Sequence, residues 1–292
     1  MKILLIGKTG QLGSDILRLG GSIHNIYAPE RNILDIGISG RIEKVLSSYT
    51  PDVVINTAAY HNVPLCETEY AMAFKVNCIA VKNLAEACRD IGAVFVTFST
   101  DYVFDGGKKR PYLESDKPSP LQIYGISKLA GEFASLSAWI EKTVIIRTCG
   151  LYGLSGAQSK GGNFVDKRIM DAQGHNSIEI GCDQIVSPTY TNDLAKALFQ
   201  MIAHADIKPG IYHMVNEGEC SWYEFTNAIY KIMGLKIKVM PVDRKGLSGK
   251  MRRPLYSALS NTRAAAMGIT LPTWRNALER YLMEKYLSRQ QR

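Results

Sequence analysis

The sequence predicts an α/β chain, a doubly wound parallel sheet followed by a smaller, interwoven C-terminal substrate-binding lobe. Three observations carry that reading. Short apolar runs alternate with helix-period segments through the first half of the 292 residues. A glycine-rich turn, Gly7-Lys8-Thr9-Gly10-Gln11-Leu12-Gly13, joins the first apolar run to the first helical segment. A later apolar run ends in two hydroxyls, Ser99 and Thr100, and the helix downstream carries Tyr124 and Lys128 four residues apart, hence on one face.

Taken in order, residues 2–6, 23–28, 53–56, 94–98 and 143–147 read as strands. Helical patterns fill 11–19, 38–48, 69–91 and 124–138 between them. Such alternation requires right-handed crossovers and a parallel sheet. The second half is less regular, with a glycine-rich stretch at 150–162 and helices expected over 191–204, 221–233 and 274–287. The division expected is a dinucleotide-binding part over 1–149, with a return near 178–205, and a substrate-binding lobe over 150–292. No internal repeat is visible.

Hydrophobic residues make up 46% of the chain, which suits a globular fold and excludes disorder. No apolar run is long enough to span a bilayer, and the first residues read as a strand instead of a signal peptide. Cys66, Cys78, Cys88, Cys149, Cys182 and Cys220 show no CxxC spacing. They predict reduced thiols in a cytoplasmic protein, with neither a zinc site nor a disulfide framework. The net charge of +8 is concentrated at the C-terminal end, where residues 236–292 hold 13 Lys or Arg against 3 Asp or Glu. That segment suits an anionic small molecule such as a nucleotide diphosphate, and equally a solvated basic face. No nucleic-acid motif accompanies it.

The glycine turn permits close backbone approach to a pyrophosphate seated on the positive end of a helix. Its spacing, GxxGxxG, assigns Gly7, Gly10, Gln11, Leu12 and Gly13 to a dinucleotide. The second strand should end near the adenosine ribose, where Pro29-Glu30-Arg31 stands. An acid there favours NADH and an Arg favours NADPH; both are present, so either cofactor fits. Asp35 follows where an adenine edge would lie, and a plain helix-start acid is the alternative. Ala58, Ala59 and Tyr60 come after the third strand, where small residues let backbone approach cofactor. Asn77 could order the site or satisfy buried backbone.

Thr100, Tyr124 and Lys128 form the catalytic set. Tyr124 would protonate a ketone oxygen, Lys128 would lower the phenol pKa and hold a cofactor ribose, and Thr100 would donate to the substrate oxygen. No metal-ligand cluster is apparent.

These residues resemble the extended short-chain dehydrogenase/reductase family, and within it the branch that reduces dTDP-4-dehydrorhamnose to dTDP-rhamnose. The matching pieces are the glycine turn, Pro51-Asp52-Val53-Val54-Ile55-Asn56, Ser99-Thr100-Asp101-Tyr102-Val103-Phe104-Asp105-Gly106, Tyr124-Gly125-Ile126-Ser127-Lys128-Leu129-Ala130-Gly131-Glu132 and Ile146-Arg147-Thr148. Gly162-Asn163-Phe164-Val165, Asp183-Gln184, Ser187-Pro188-Thr189, Ser221-Trp222-Tyr223 and Arg253-Pro254 follow. The resemblance covers nearly the whole chain. It implies a Rossmann domain, NADPH or NADH, a 4-keto nucleotide sugar in the second lobe, and a role in polysaccharide biosynthesis. It places substrate contacts at Val63, Tyr102, Asn163 and Arg253. A monomer or homodimer is expected, with no nucleic-acid or membrane partner.

Two departures stand out. Where the family pattern carries a sugar-contacting Trp, this chain has Gly150, and where it carries an Asp beside the sugar, this chain has Pro64. Open space at Gly150 and altered sugar specificity are the expectation. The alternatives are a reductase or epimerase of another nucleotide sugar, or a non-catalytic NADP-binding regulatory subunit resembling that of methionine adenosyltransferase.

Overall fold

In β1 (Lys2–Ile6), Ile3 and Leu5 enter one apolar cluster while Leu4 and Ile6 enter another. Side chains alternate across a strand, so β1 is buried on both faces, as a central parallel strand must be. The computed structural model describes residues 1–38, 40–155, 162–204, 207–248 and 251–288. After β1 come α1 (Gln11–Gly20), β2 (Asn25–Tyr27), α2 (Arg41–Tyr49), β3 (Val53–Asn56), the short α3 (Val63–Cys66), α4 (Tyr70–Phe74), α5 (Ala80–Ile91), β4 (Val94–Thr100), α6 (Ile123–Ala138) and β5 (Thr143–Thr148). The later elements are β6 (Leu151–Tyr152), α7 (Phe164–Asp171), β7 (Ser177–Gly181), β8 (Ile185–Val186), β9 (Thr189–Tyr190), α8 (Thr191–Ile202), β10 (Gly210–His213), β11 (Cys220–Ser221), α9 (Trp222–Met233), β12 (Lys238–Val242), β13 (Leu247–Ser248), β14 (Met251–Arg252), α10 (Thr262–Ala266) and α11 (Trp274–Leu282).

Six strands form one parallel sheet in the order β10-β5-β4-β3-β1-β2. The chain reverses direction across the sheet between β1 and β3, and such a switch point opens a crevice beyond the strands' C-terminal ends. The sheet is doubly wound. One face is covered by residues of α1 and α8, including Leu12, Ile16, Leu194 and Leu198; the other is covered by α2 and α5 residues such as Ile42, Leu46, Val81 and Leu84. Each such fully buried side chain contributes about 1.5–3 kcal/mol.

Beyond β5 the chain leaves the sheet and returns. In the stretch 178–205, β7 and β8 pair with β12 and β11, whereas α8 packs on the sheet, and β10 then extends it beside β5. The remaining elements surround an aromatic cluster that includes Tyr152, Tyr190, Phe225, Trp274 and Tyr281.

Several boundaries differ from the sequence expectation, each for a local reason. The second strand starts at Asn25, because the amides of Ile23 and His24 close the end of α1 onto Gly20 O at 3.0 and 2.8 Å. Helix α2 starts at Arg41, after Gly40 turns the chain at φ +80°. The long helix expected over 69–91 is interrupted by a π turn, Lys75–Ile79. There the Asn77 carbonyl approaches α6 so closely that a Cβ on Gly131 would lie 2.0 Å from it. Strand β4 runs on to Thr100, so Ser99 and Thr100 pair with Arg147 and Thr148 of β5. The last helix ends at Leu282 and continues as a π turn, Met283–Leu287. Of the glycine-rich stretch, residues 156–161, Gly156 among them, lie outside the described residues.

Candidate active site

The glycine turn sits at the switch point. Gly7 has φ +90°, and a Cβ there would meet Thr57 Oγ1 at 2.6 Å, so only glycine lets the turn after β1 lie on the segment after β3. Gly13 performs a second close approach, since its Cβ would fall 2.2 Å from Gly7 O. Gly10 is the N-cap of α1, with no side-chain cap and no acid in the first turn. The first-turn amides, at Gln11 and Leu12, are thus left for an anion. The Leu12 side chain is buried in the sheet's core and Gln11 Nε2 donates to Leu151 O at 3.3 Å. Any side chain at position 7 or 13 would collide with Thr57 or with the backbone of the turn itself, so this cradle of amides needs glycine at both positions.

Beyond β2, Lys8 pairs with Glu30 at 2.5 Å, and Arg31 Nε donates to Asp35 at 3.0 Å. Asp35 also accepts from Gly37 N at 2.9 Å. Arg31 is 86% exposed at its side chain, so its guanidinium faces solvent. Ala58 and Ala59 follow β3, where Ala58 N donates to Asn56 Oδ1 at 3.1 Å.

Thr100 ends β4, and Tyr124 and Lys128 lie on α6. Two glycines bring that helix in. A Cβ on Gly125 would sit 2.1 Å from Tyr102 O, just as Gly131 admits Asn77 O. The Thr100 hydroxyl is near enough to the Tyr124 phenol to act against the rise of its pKa. Thr100 Oγ1 accepts from Tyr102 N at 3.2 Å and donates to Asp101 Oδ1 at 3.0 Å. The Tyr102 and Tyr124 rings meet edge-on, 6.2 Å apart.

The electrostatics correct one expectation. Burial, with Asp101 next in effect, raises the Tyr124 pKa, and the Thr100 hydrogen bond opposes it. Lys128 is not what sets the phenol. The lysine is itself perturbed, because burial lowers it from 10.5 to about 8 and Glu132, one turn along, pulls it upward. Tyr124 therefore keeps its proton through the neutral range, which suits an acid, while Lys128 titrates near working pH.

Around this set lies a buried polar frame. Asn77 Oδ1 accepts from Tyr60 N at 2.8 Å, and its Nδ2 donates to Tyr60 O and Ser127 Oγ, both at 3.0 Å. One amide thus fastens the loop after β3 to α6 beside Lys128. Glu132 receives Arg147 Nε and Nη2 at 2.9 and 2.6 Å together with the Ser99 hydroxyl. Asp101 collects Thr100, Cys149 Sγ at 3.1 Å and Ser257 Oγ at 2.6 Å, and burial raises its pKa. Asp101 and Glu132 stood inside the quoted motifs without an assigned role. Glu132 had a readable signal, four residues after Lys128. Ser257 had none, because only the fold brings it to Asp101.

Of the residues expected to meet substrate, Tyr102 lies against Tyr124, and Val63 opens α3, half-buried. Arg253 forms no ion pair among the described residues, and its buried Nε has no hydrogen-bond partner. Its charge reaches Tyr102. Asn163 is different. It caps α7, accepting from Asp166 N at 2.9 Å and donating to Gly153 O and Tyr281 Oη at 3.0 and 2.8 Å. Its amide is consumed by the lobe, which corrects the expected substrate contact. The space expected at Gly150 is also not open, because a Cβ there would lie 3.2 Å from both Pro188 Cα and Trp222 Cη2. All six cysteines are free, and no group of metal-ligating side chains occurs among the described residues. No described helix is long and apolar enough to cross a membrane.

A parallel sheet with a glycine cradle at its switch point defines a Rossmann-type dinucleotide-binding protein. More narrowly, the chain belongs to the RmlD substrate binding domain family, whose description matches residues 1–287. It is 38% identical over 285 residues to the spore coat polysaccharide biosynthesis protein SpsK of Bacillus subtilis, covering 97% of this chain and 98% of that one. The crystal structure of a dTDP-4-dehydrorhamnose reductase from Clostridium acetobutylicum superposes with a TM-score of 0.89 at 35% identity, covering 97% and 98% of the two chains. A dTDP-4-dehydrorhamnose reductase from Bacillus anthracis, in complex with NADP, gives 0.89 at 34% identity over 97% and 99%.

Proposed function

We propose that this chain is an NADPH-dependent reductase that converts dTDP-4-dehydrorhamnose to dTDP-rhamnose. The observation that carries the reading is that Thr100, at the end of β4, stands with Tyr124 and Lys128 of α6 on the same C-terminal side of the parallel sheet as the uncapped start of α1. Similarity over nearly full length to dTDP-4-dehydrorhamnose reductases supports it.

In this reading Gly7, Gly10, Gln11, Leu12, Gly13, Ala58, Ala59 and Tyr60 line the dinucleotide, with Arg31 and Asp35 at its adenosine end. The dinucleotide belongs to residues 1–149 together with α8 and β10, which return to the sheet, and the nucleotide sugar to the rest of the chain after 149. Val63, Tyr102 and Arg253 face the substrate, and the unpaired Arg253 answers the diphosphate charge. When bound, reduced nicotinamide supplies a hydride to the keto carbon. Tyr124 gives its proton to the keto oxygen as negative charge gathers there. Thr100, whose one hydroxyl proton goes to Asp101 and whose oxygen accepts the Tyr102 amide, helps position the phenol; the expected donation to the substrate oxygen is corrected, because that proton is already committed. Lys128 holds the ribose.

The test is to mix the purified protein with NADPH and dTDP-4-dehydrorhamnose and follow loss of NADPH and appearance of dTDP-rhamnose. Stoichiometric conversion is expected. Binding of NADPH without conversion of this sugar would refute the assignment.

A further inference from the structure

We infer that Trp222 is the apolar wall on which the sugar ring of the substrate packs, covering the place that Gly150 leaves without a side chain. The inference rests on the reductase reading. Gly150 follows Cys149 just past β5, whose Thr148 pairs with Thr100, so it stands at the rim of the catalytic set. With φ +54° and no Cβ, it brings only backbone to that rim. The far edge of the Trp222 indole comes across from the lobe to meet it, since Cη2 would lie 3.2 Å from a Cβ at position 150.

The indole is held firmly from behind. Trp222 opens α9, and Ser221 and Glu224 form a reciprocal capping box at that helix start. Its ring packs on Phe164 with centroids 4.4 Å apart and meets Phe225 edge-on at 6.1 Å. It touches both the lobe's aromatic cluster and the cluster containing Val103 and Cys149. A tryptophan serving only the core would be enclosed like Trp274, which is 4% exposed; Trp222 is only half-buried. Among the described residues no acceptor takes its indole N–H, whereas that of Trp139 is bound to Ala93 O. A rigid aromatic face with a free donor at its edge matches a sugar, which offers C–H groups on one face and hydroxyls at its rim.

The experiment compares ligands with and without the sugar. Calorimetry gives the Kd of dTDP and of dTDP-rhamnose for the wild-type chain and for Trp222→Ala and Trp222→Phe. The Ala variant should bind dTDP-rhamnose about tenfold or more weakly while dTDP changes less than twofold, because only the sugar meets the wall. The Phe variant, which keeps the packing on Phe164, should recover part of the loss. Equal weakening of both ligands would assign Trp222 to packing, and unchanged binding of both would place the sugar elsewhere; either overturns the inference. Failure of the reductase reading is distinguishable, since the wild-type protein would then bind dTDP-rhamnose no better than dTDP.

Discussion

Lys128 is a buried ammonium that the fold maintains at a cost, and Lys128→Met makes the cost measurable. Burial lowers its pKa from 10.5 to about 8. A shift of that size corresponds to about 3 kcal/mol at pH 7, because each unit is worth about 1.4 kcal/mol. The sign follows from proton counts. Below pH 8 the lysine is charged in both folded and unfolded chains, and the whole penalty falls on the folded one. Between 8 and 10.5 the unfolded chain binds the extra proton, so wild-type stability rises with pH, and above 10.5 the penalty is gone. Methionine keeps the length and removes the charge. Lys128→Met should therefore raise stability at pH 7 by about 1–3 kcal/mol, a few degrees in Tm for a chain of this length, while NADPH affinity and turnover fall. The assay is urea unfolding of both proteins across the alkaline range. The stability advantage of the Met variant should shrink toward zero as pH climbs to 10.5. A less stable Met variant, or a difference independent of pH, would refute the reasoning.

Other residues give separate readouts. Arg31→Ala should raise the KM for NADPH by about tenfold and leave that for NADH nearly unchanged, since only the 2′-phosphate needs the guanidinium; steady-state kinetics with both cofactors checks it. Arg253→Ala should raise the KM for the nucleotide sugar by about tenfold or more, with NADPH binding unaltered by fluorescence titration. Glu132→Gln strands the fully buried Arg147 and should lower stability by about 3 kcal/mol or more in chemical denaturation. Asp101→Asn should reduce kcat about tenfold while leaving NADPH affinity intact, because Asp101 orients the Thr100 hydroxyl.

The sheet was legible because buried parallel strands are nearly continuous apolar runs, as at Val53-Val54-Ile55, and because the glycine turn falls at a strand–helix junction. Thr100, Tyr124 and Lys128 were legible because residue type and helical spacing alone place two of them on one face. Tertiary effects were not. The π turn at Lys75–Ile79 packs its Asn77 carbonyl against Gly131 of a different helix. The Asn163 amide looked available until Gly153, Asp166 and Tyr281 closed around it. Likewise, the pKa of Tyr124 is governed by burial and Asp101, which the i, i+4 spacing to Lys128 could not reveal. The filling of the Gly150 site by Trp222, 72 positions away in sequence, is a property of the assembled lobe.

The most direct test of the central claim is NADPH oxidation with dTDP-4-dehydrorhamnose by the wild-type protein and by Tyr124→Phe, with the NADPH Kd measured for both. Phenylalanine retains the ring that lies edge-on to Tyr102 and removes only the proton donor. The account predicts turnover by the wild-type chain, a fall in kcat on the order of 10²-fold or more in the variant, and an NADPH Kd unchanged within about twofold. Turnover near the wild-type rate in the Phe variant would contradict it.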